Sequence, residues 1–254
     1  METLFIGKNS LFLHEVESTN TYAMNLLRNV NPIEGTIVYT DNQTHGKGQR
    51  GALWTSKIGQ NITVSVILKP HFLDLNKSFY LSKISALAVY DVLTDILANR
   101  QYDIKIKWPN DILVNQKKIA GILIENNFSQ TIIQNSVIGI GLNINQDEFG
   151  DFERAATSLK LLLNNSFDRK MVMELFCQKL EKWYLKLKQQ KFNIINESYL
   201  NSLYGLNQIL DFEDVHKIVF KGKIVGVSKD GKLQIENSDL IVKDFDIKEL
   251  KFAI

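Results

Sequence analysis

The 254-residue sequence has one cysteine, so no disulfide closes within the chain and an oxidising compartment is not indicated. Its four histidines, at 14, 45, 71 and 216, lie far apart, and none stands at metal-ligand spacing, which argues against a protein-held zinc site. Three prolines and 14 glycines are too few for a collagen-like or low-complexity chain, and 44% hydrophobic with 23% charged residues excludes disorder. The longest apolar runs, such as 137–142, fall far short of the ~20 residues that span a bilayer, so no membrane-spanning role is expected. An excess of either charge is also missing. Thirty basic against 28 acidic residues leave +2, without the basic face or tail of a general nucleic-acid binder. The opening METLFIGKNS has no basic stretch ahead of an apolar one, so a signal peptide is not expected and a cytoplasmic protein is the default. A chain of this length buries roughly three quarters of the surface its unfolded form exposes, and needs no covalent staple.

The patterning predicts a strand over 11–16 and a helix over 19–28 with Ser18 as its N-cap. Two β-rich runs, 35–40 and 61–68, flank a polar, glycine-bearing stretch at 41–51. Phe79, Ile84, Leu87, Ala88, Val92 and Ile96 recur at helical spacing within 77–99. Short β-rich pieces at 104–108, 112–114, 119–125 and 131–140 are joined by turn-like residues 115–118 and 126–130, which reads as an antiparallel meander. Two helices fit 168–190 and 193–203, and beyond 206 only short strands and turns remain. The expected division is therefore 1–206 and 207–254, in an α+β fold whose strands pair locally.

Four segments carry chemistry. Residues 43–54 (QTHGKGQRGALW) hold Gly46, Gly48 and Gly51, whose backbone can present successive N–H groups to an anion, with Lys47 and Arg50 beside them. The segment is neither a P-loop nor a dinucleotide fingerprint. In 107–111 (KWPND) and 117–125 (KKIAGILIE), Asn110 and Asp111 form a polar corner suited to a metal–phosphate complex, and Lys118 stands at the start of an apolar strand. Gly121 inside that strand weakens it unless something approaches the backbone closely. In 137–145 (VIGIGLNIN), Gly139 and Gly141 share one face by alternation and leave room above it. Finally, 17–20 (ESTN) combines a helix cap with three polar side chains.

Taken in this order, the segments resemble those of the bacterial biotin protein ligases, the biotin–[acetyl-CoA-carboxylase] ligases, over nearly the whole chain. KWPND followed by KIAGIL is the most diagnostic part. The resemblance implies a mixed, largely antiparallel sheet flanked by helices and a small C-terminal SH3-like β-barrel. It implies an enzyme that uses ATP to convert biotin to biotinyl-5'-AMP and passes biotin to a lysine of a biotin carboxyl carrier protein, with Mg²⁺ as cofactor. By similarity, Ser18, Thr19, Asn20 and Gln43 face the ureido end of biotin. Gly46, Lys47, Gly48 and Gln49 close over its tail, near Gly121. Arg50, Trp54, Asn110, Asp111, Lys118 and Asn143 serve ATP, with Lys118, Arg50 and Gln49 as the catalytic set and Lys118 also at the biotin carboxylate. Asp111 is the candidate Mg²⁺ contact, directly or through water or phosphate.

The commoner family loop reads Gly-Arg-Gly-Arg-x-Gly-Arg, whereas Lys47, Gln49 and Ala52 stand here in place of its three arginines. Family members that repress transcription carry an N-terminal winged helix, and about ten residues before the first strand are too few to hold one, so sequence-specific DNA binding is not expected. A monomer or weak homodimer is expected. A lipoate–protein ligase, which should lack the Trp-Pro-Asn-Asp segment, and a non-enzymatic ligand-binding module are the competing readings.

Overall fold

Alternation along the central strands decides the layering. The computed structural model describes residues 2–98, 101–150 and 155–253, Arg50 by its backbone only. In β3 (Ile62–Leu68) and β7 (Ile132–Leu142), Val64, Val66, Ile138 and Ile140 enter a large core, while Ile67 and Val137 join Ala23, Leu27 and Val38 in a small one. Successive strand residues face opposite sides, so one sheet carries two separate apolar faces. α1 (Thr19–Asn29) covers the smaller face. α2 (Phe79–Leu97) lies on the larger face, with α4 (Arg169–Lys188) and α5 (Phe192–Asn201) packed against it.

The sheet adds β1 (Ser10–Val16), β2 (Ile37–Gln43), β4 (Ile104–Lys107), β5 (Asp111–Val114) and β6 (Lys117–Ser129), in the order β1-β2-β3-β7-β6-β5-β4. β4 to β7 form the expected antiparallel meander. Pairing is not local throughout, however. β1 and β2 run parallel because α1 crosses between them, and β7 closes against the distant β3. Residues 126–129, expected in a turn, belong to β6, and Gln130 with φ 54° makes a tighter reversal. α3 (Leu159–Leu163), capped by Ser158 accepting from Leu161 N, was not predicted, since five residues are too few to show a period.

Beyond α5 lie β8 (Ile209–Asp214), β9 (Val219–Val227), β10 (Leu233–Glu236), β11 (Val242–Phe245) and β12 (Leu250–Phe252). They form a separate antiparallel sheet, β11-β10-β9-β8-β12, closed over Phe212, Ile224, Leu233 and Ile235. Trp108 Nε1 ties this sheet to the first by donating to Gly231 O at 2.8 Å. Gly231 has φ +95°, and a Cβ there would stand 2.3 Å from the Phe79 ring. Such a joint leaves no room for another residue. Among the described residues no helix is long and apolar enough to cross a membrane.

Candidate active site

The sheet face beneath α1 changes character along its length. Ile67 opposes Val137, but two residues further Ser65 opposes Gly139, and two further Thr63 opposes Gly141, which opposes Gly121 on β6. Loss of bulk at these positions opens a cavity of about 1030 Å³. The glycines are needed sterically. A Cβ at Gly141 would lie 2.2 Å from the Trp54 indole and one at Gly121 3.1 Å from it, while at Gly139 it would meet Asn20 Oδ1 at 2.2 Å. The Trp54 ring therefore lies flat over a cross-strand glycine pair, its buried Nε1 without a hydrogen-bond partner.

One end of the cavity is polar and tightly connected. Ser18 caps α1, accepting from Thr21 N at 3.4 Å. Thr19 N donates to Gln43 Oε1 at 2.9 Å, which links the first turn of α1 to the end of β2. Asn20 Nδ2 donates to Glu125 Oε2 at 2.9 Å and Leu123 O at 3.2 Å, and Ser65 Oγ lies 2.6 Å from Asn20 Oδ1 and 2.8 Å from Thr19 Oγ1. Ser65 is fully buried, and Thr19 and Asn20 nearly so.

At the neighbouring row of the floor, Lys118 Nζ pairs with Asp111 Oδ1 at 2.7 Å and stands 5.7 Å from the Trp54 ring centroid. Lys118 is fixed through its backbone, donating to Ala155 O and accepting from Thr157 N. Asn110 Nδ2 donates to Ile122 O and Asn143 Nδ2 to Thr157 O, which pins the two loops that border this end. The glycine loop folds over the opening as a small hairpin in which Gly48 N donates to Ala52 O and Trp54 N to Gly46 O. Gly46 is enclosed, since a Cβ there would meet Trp54 O at 2.3 Å and Gln43 Nε2 at 2.4 Å.

Ser18, Thr19, Asn20, Gln43, Lys47, Gly48, Gln49, Trp54, Asn110, Asp111, Lys118, Gly121 and Asn143 thus line one cavity. Gly46 supports it from behind, and the Arg50 side chain lies outside the described residues. Sequence reasoning missed Ser65 and Glu125, which sit behind the lining, and Thr63 in it. It also missed Ile247, Leu250, Lys251 and Phe252, through which the second sheet walls the cavity. Glu125 was readable only as the end of KIAGILIE, and Ser65 as one polar residue in a β-rich run.

A sequence profile described as the biotin/lipoate A/B protein ligase family matches residues 12–143, and that stretch contains the glycine floor, the polar end and the Lys118–Asp111 pair. The chain belongs to this family. A relative named bifunctional ligase/repressor BirA, from Bacillus spizizenii, is 33% identical over 96% of this chain and 74% of its own length. The biotin–[acetyl-CoA-carboxylase] ligase of Paracoccus denitrificans is 30% identical over 74% of this chain and 78% of its own. Among solved structures, the biotin protein ligase of Aquifex aeolicus in complex with biotin and ATP superposes with a TM-score of 0.79 at 27% identity. The match covers 97% of this chain and all of that one.

Proposed function

We propose that this chain is a biotin protein ligase: it activates biotin with ATP to biotinyl-5'-AMP and transfers the biotinyl group to a lysine of a biotin carboxyl carrier protein. The observation that carries the reading is one flat glycine floor joining two unlike ends. Hydrogen-bonding side chains packed around Asn20 and Gly139 suit a ureido ring, and the Lys118 ammonium stands at the Gly121 row. The rows are two residues apart on the strand, about 7 Å, so a ligand with a polar head and an anionic tail reaches both. Trp54 offers an aromatic face to the nucleotide base at the same row.

The first step joins two anions. An oxygen of the biotin carboxylate forms a bond to the α-phosphorus of ATP, and the bond from that phosphorus to the bridging oxygen of pyrophosphate breaks. Negative charge grows on the phosphoryl oxygens. Lys118, held by its backbone and by Asp111, is the preorganised cation that meets it. Gln49 and the backbone N–H groups of the glycine loop add neutral donors and exclude water from the mixed anhydride. In the second step the carrier lysine, as its free amine, attacks the acyl carbon and AMP departs.

Asp111 is the only carboxylate among the described lining residues, and one suffices for Mg²⁺ when phosphates fill other positions. It would hold the ion, which would neutralise phosphate charge. We assign 1–206 to the catalytic domain and 207–254 to an SH3-like domain that closes the nucleotide side. Incubation of the purified chain with ATP, Mg²⁺, biotin and a carrier domain should yield biotinylated carrier on a streptavidin blot. Its absence at high enzyme concentration would refute the assignment.

A further inference from the structure

The buried side chains behind the polar end fix the direction of every hydrogen bond in it. Asn20 Nδ2 faces Leu123 O and the Glu125 carboxylate, both of which only accept, so the amide nitrogen is placed there and Asn20 Oδ1 must accept. Its partner at 2.6 Å is Ser65 Oγ, whose single proton is thereby committed. The 2.8 Å contact between Ser65 Oγ and Thr19 Oγ1 must then be made with the Thr19 proton. Gln43 Oε1, which accepts from Thr19 N at 2.9 Å, also lies 3.3 Å from Thr19 Oγ1, but the Ser65 contact is shorter and has no other proton to make it, so the Thr19 proton goes to Ser65. The sequence Glu125–Asn20–Ser65–Thr19 is therefore one-way, and it leaves the hydroxyl oxygen of Thr19, a residue that lines the cavity, able only to accept.

We propose that Ser65 and Glu125 are positioning residues that set ligand specificity: by polarising Asn20 and Thr19 they make the cavity select a ligand presenting an N–H to Thr19 and reject one that offers only an acceptor or an apolar ring there. The inference rests on the biotin reading above and deepens it. A cyclic urea supplies such an N–H, whereas a dithiolane supplies none. A site that must bond an N–H penalises an analogue lacking it far more than an apolar pocket penalises a missing methylene. Neither Ser65 nor Glu125 lines the cavity, so both act through Thr19 and Asn20.

The test is calorimetric binding of biotin and of the two analogues in which one or the other ureido N–H is replaced by ring oxygen. The wild-type chain should prefer biotin over one of the analogues by about 100-fold. Ser65→Ala leaves the Thr19 proton only the longer 3.3 Å contact with Gln43 Oε1, from which a ring oxygen can draw it, so that preference should collapse to within about threefold while biotin itself weakens roughly tenfold. Glu125→Leu should act in the same direction. Glu125→Gln, whose amide oxygen still accepts from Asn20, should keep the preference, a rescue that loss of packing alone would not produce. If Ser65→Ala weakens biotin and analogue equally, or neither, while wild type binds biotin, the one-way sequence is wrong and the biotin reading survives. If wild type binds none of the three, the biotin reading falls and the inference with it.

Discussion

In the proposed reaction, Lys118 is the residue on which the chemistry turns. It joins a backbone-fixed start to a carboxylate partner and stands beside the Trp54 indole. Lys118→Ala should lower biotin-dependent pyrophosphate exchange by on the order of 10²-fold, the usual cost of one preorganised donor. Gln49→Ala, on a loop hairpin and without charge, should cost clearly less; the reverse ranking would show that the loop supplies the adenylation charge. Gly141→Ala places a methyl where the Trp54 ring lies. It should raise KM for ATP more than tenfold at nearly unchanged melting temperature, and unchanged nucleotide kinetics would mean that the ring is not part of the site.

Legibility at this scale followed chemistry. Lys118, Asp111 and the glycines were readable because each breaks the pattern around it. Ser65 was not, because a buried hydroxyl in ITVSVIL looks like ordinary strand sequence until its partners from α1 arrive.

Among the elements, the proposed reaction asks the glycine loop to move. Three backbone hydrogen bonds within it, Gly48 N to Ala52 O, Ala52 N to Gln49 O and Trp54 N to Gly46 O, hold it, and Leu53 at its end is 71% exposed, so its local stability is small. Amides of 46–53 should exchange within seconds in the ligand-free protein and become at least tenfold slower once biotinyl-5'-AMP forms. Equal rates in both states would remove the loop from the closing role.

The strands themselves were readable from alternation and from turn chemistry. The turn expected over 115–118 is shorter than that: Asn115 and Gln116, both with positive φ, make a two-residue reversal, and Lys117 and Lys118 already belong to β6. What the sequence hid was partnership. Nothing local in 35–40 says that it lies parallel to 11–16, because the direction is decided by the helix between them, and the β3–β7 pairing is decided by the common core that both strands fill.

Over the whole molecule, the second sheet is part of the site, since β12 and the preceding Ile247 wall the cavity. Its strands and turns were legible as a β module, but its docking was not, because Gly231 against Phe79 and Trp108 against Gly231 O are contacts between distant segments. The same helix carries a global pH signature. Lys83 is 2% exposed, donates to Asn196 Oδ1 and sits among the rings of Phe79, Tyr80 and Tyr199. Burial pushes its pKa down to about 8. The unfolded chain titrates this lysine near 10.4 and so binds more protons than the folded one between the two values, and stability rises with pH across that window. Urea unfolding from pH 7 to 10.5 should show wild type gaining roughly 2–3 kcal/mol relative to Lys83→Met, and parallel curves would contradict the burial of the charge.

The most direct measurement of the central claim is exchange of labelled pyrophosphate into ATP by the purified chain, with biotin, with lipoate and with neither. Exchange that requires biotin and that lipoate does not support is the predicted result. Exchange driven equally by lipoate, or none with either acid, would contradict it.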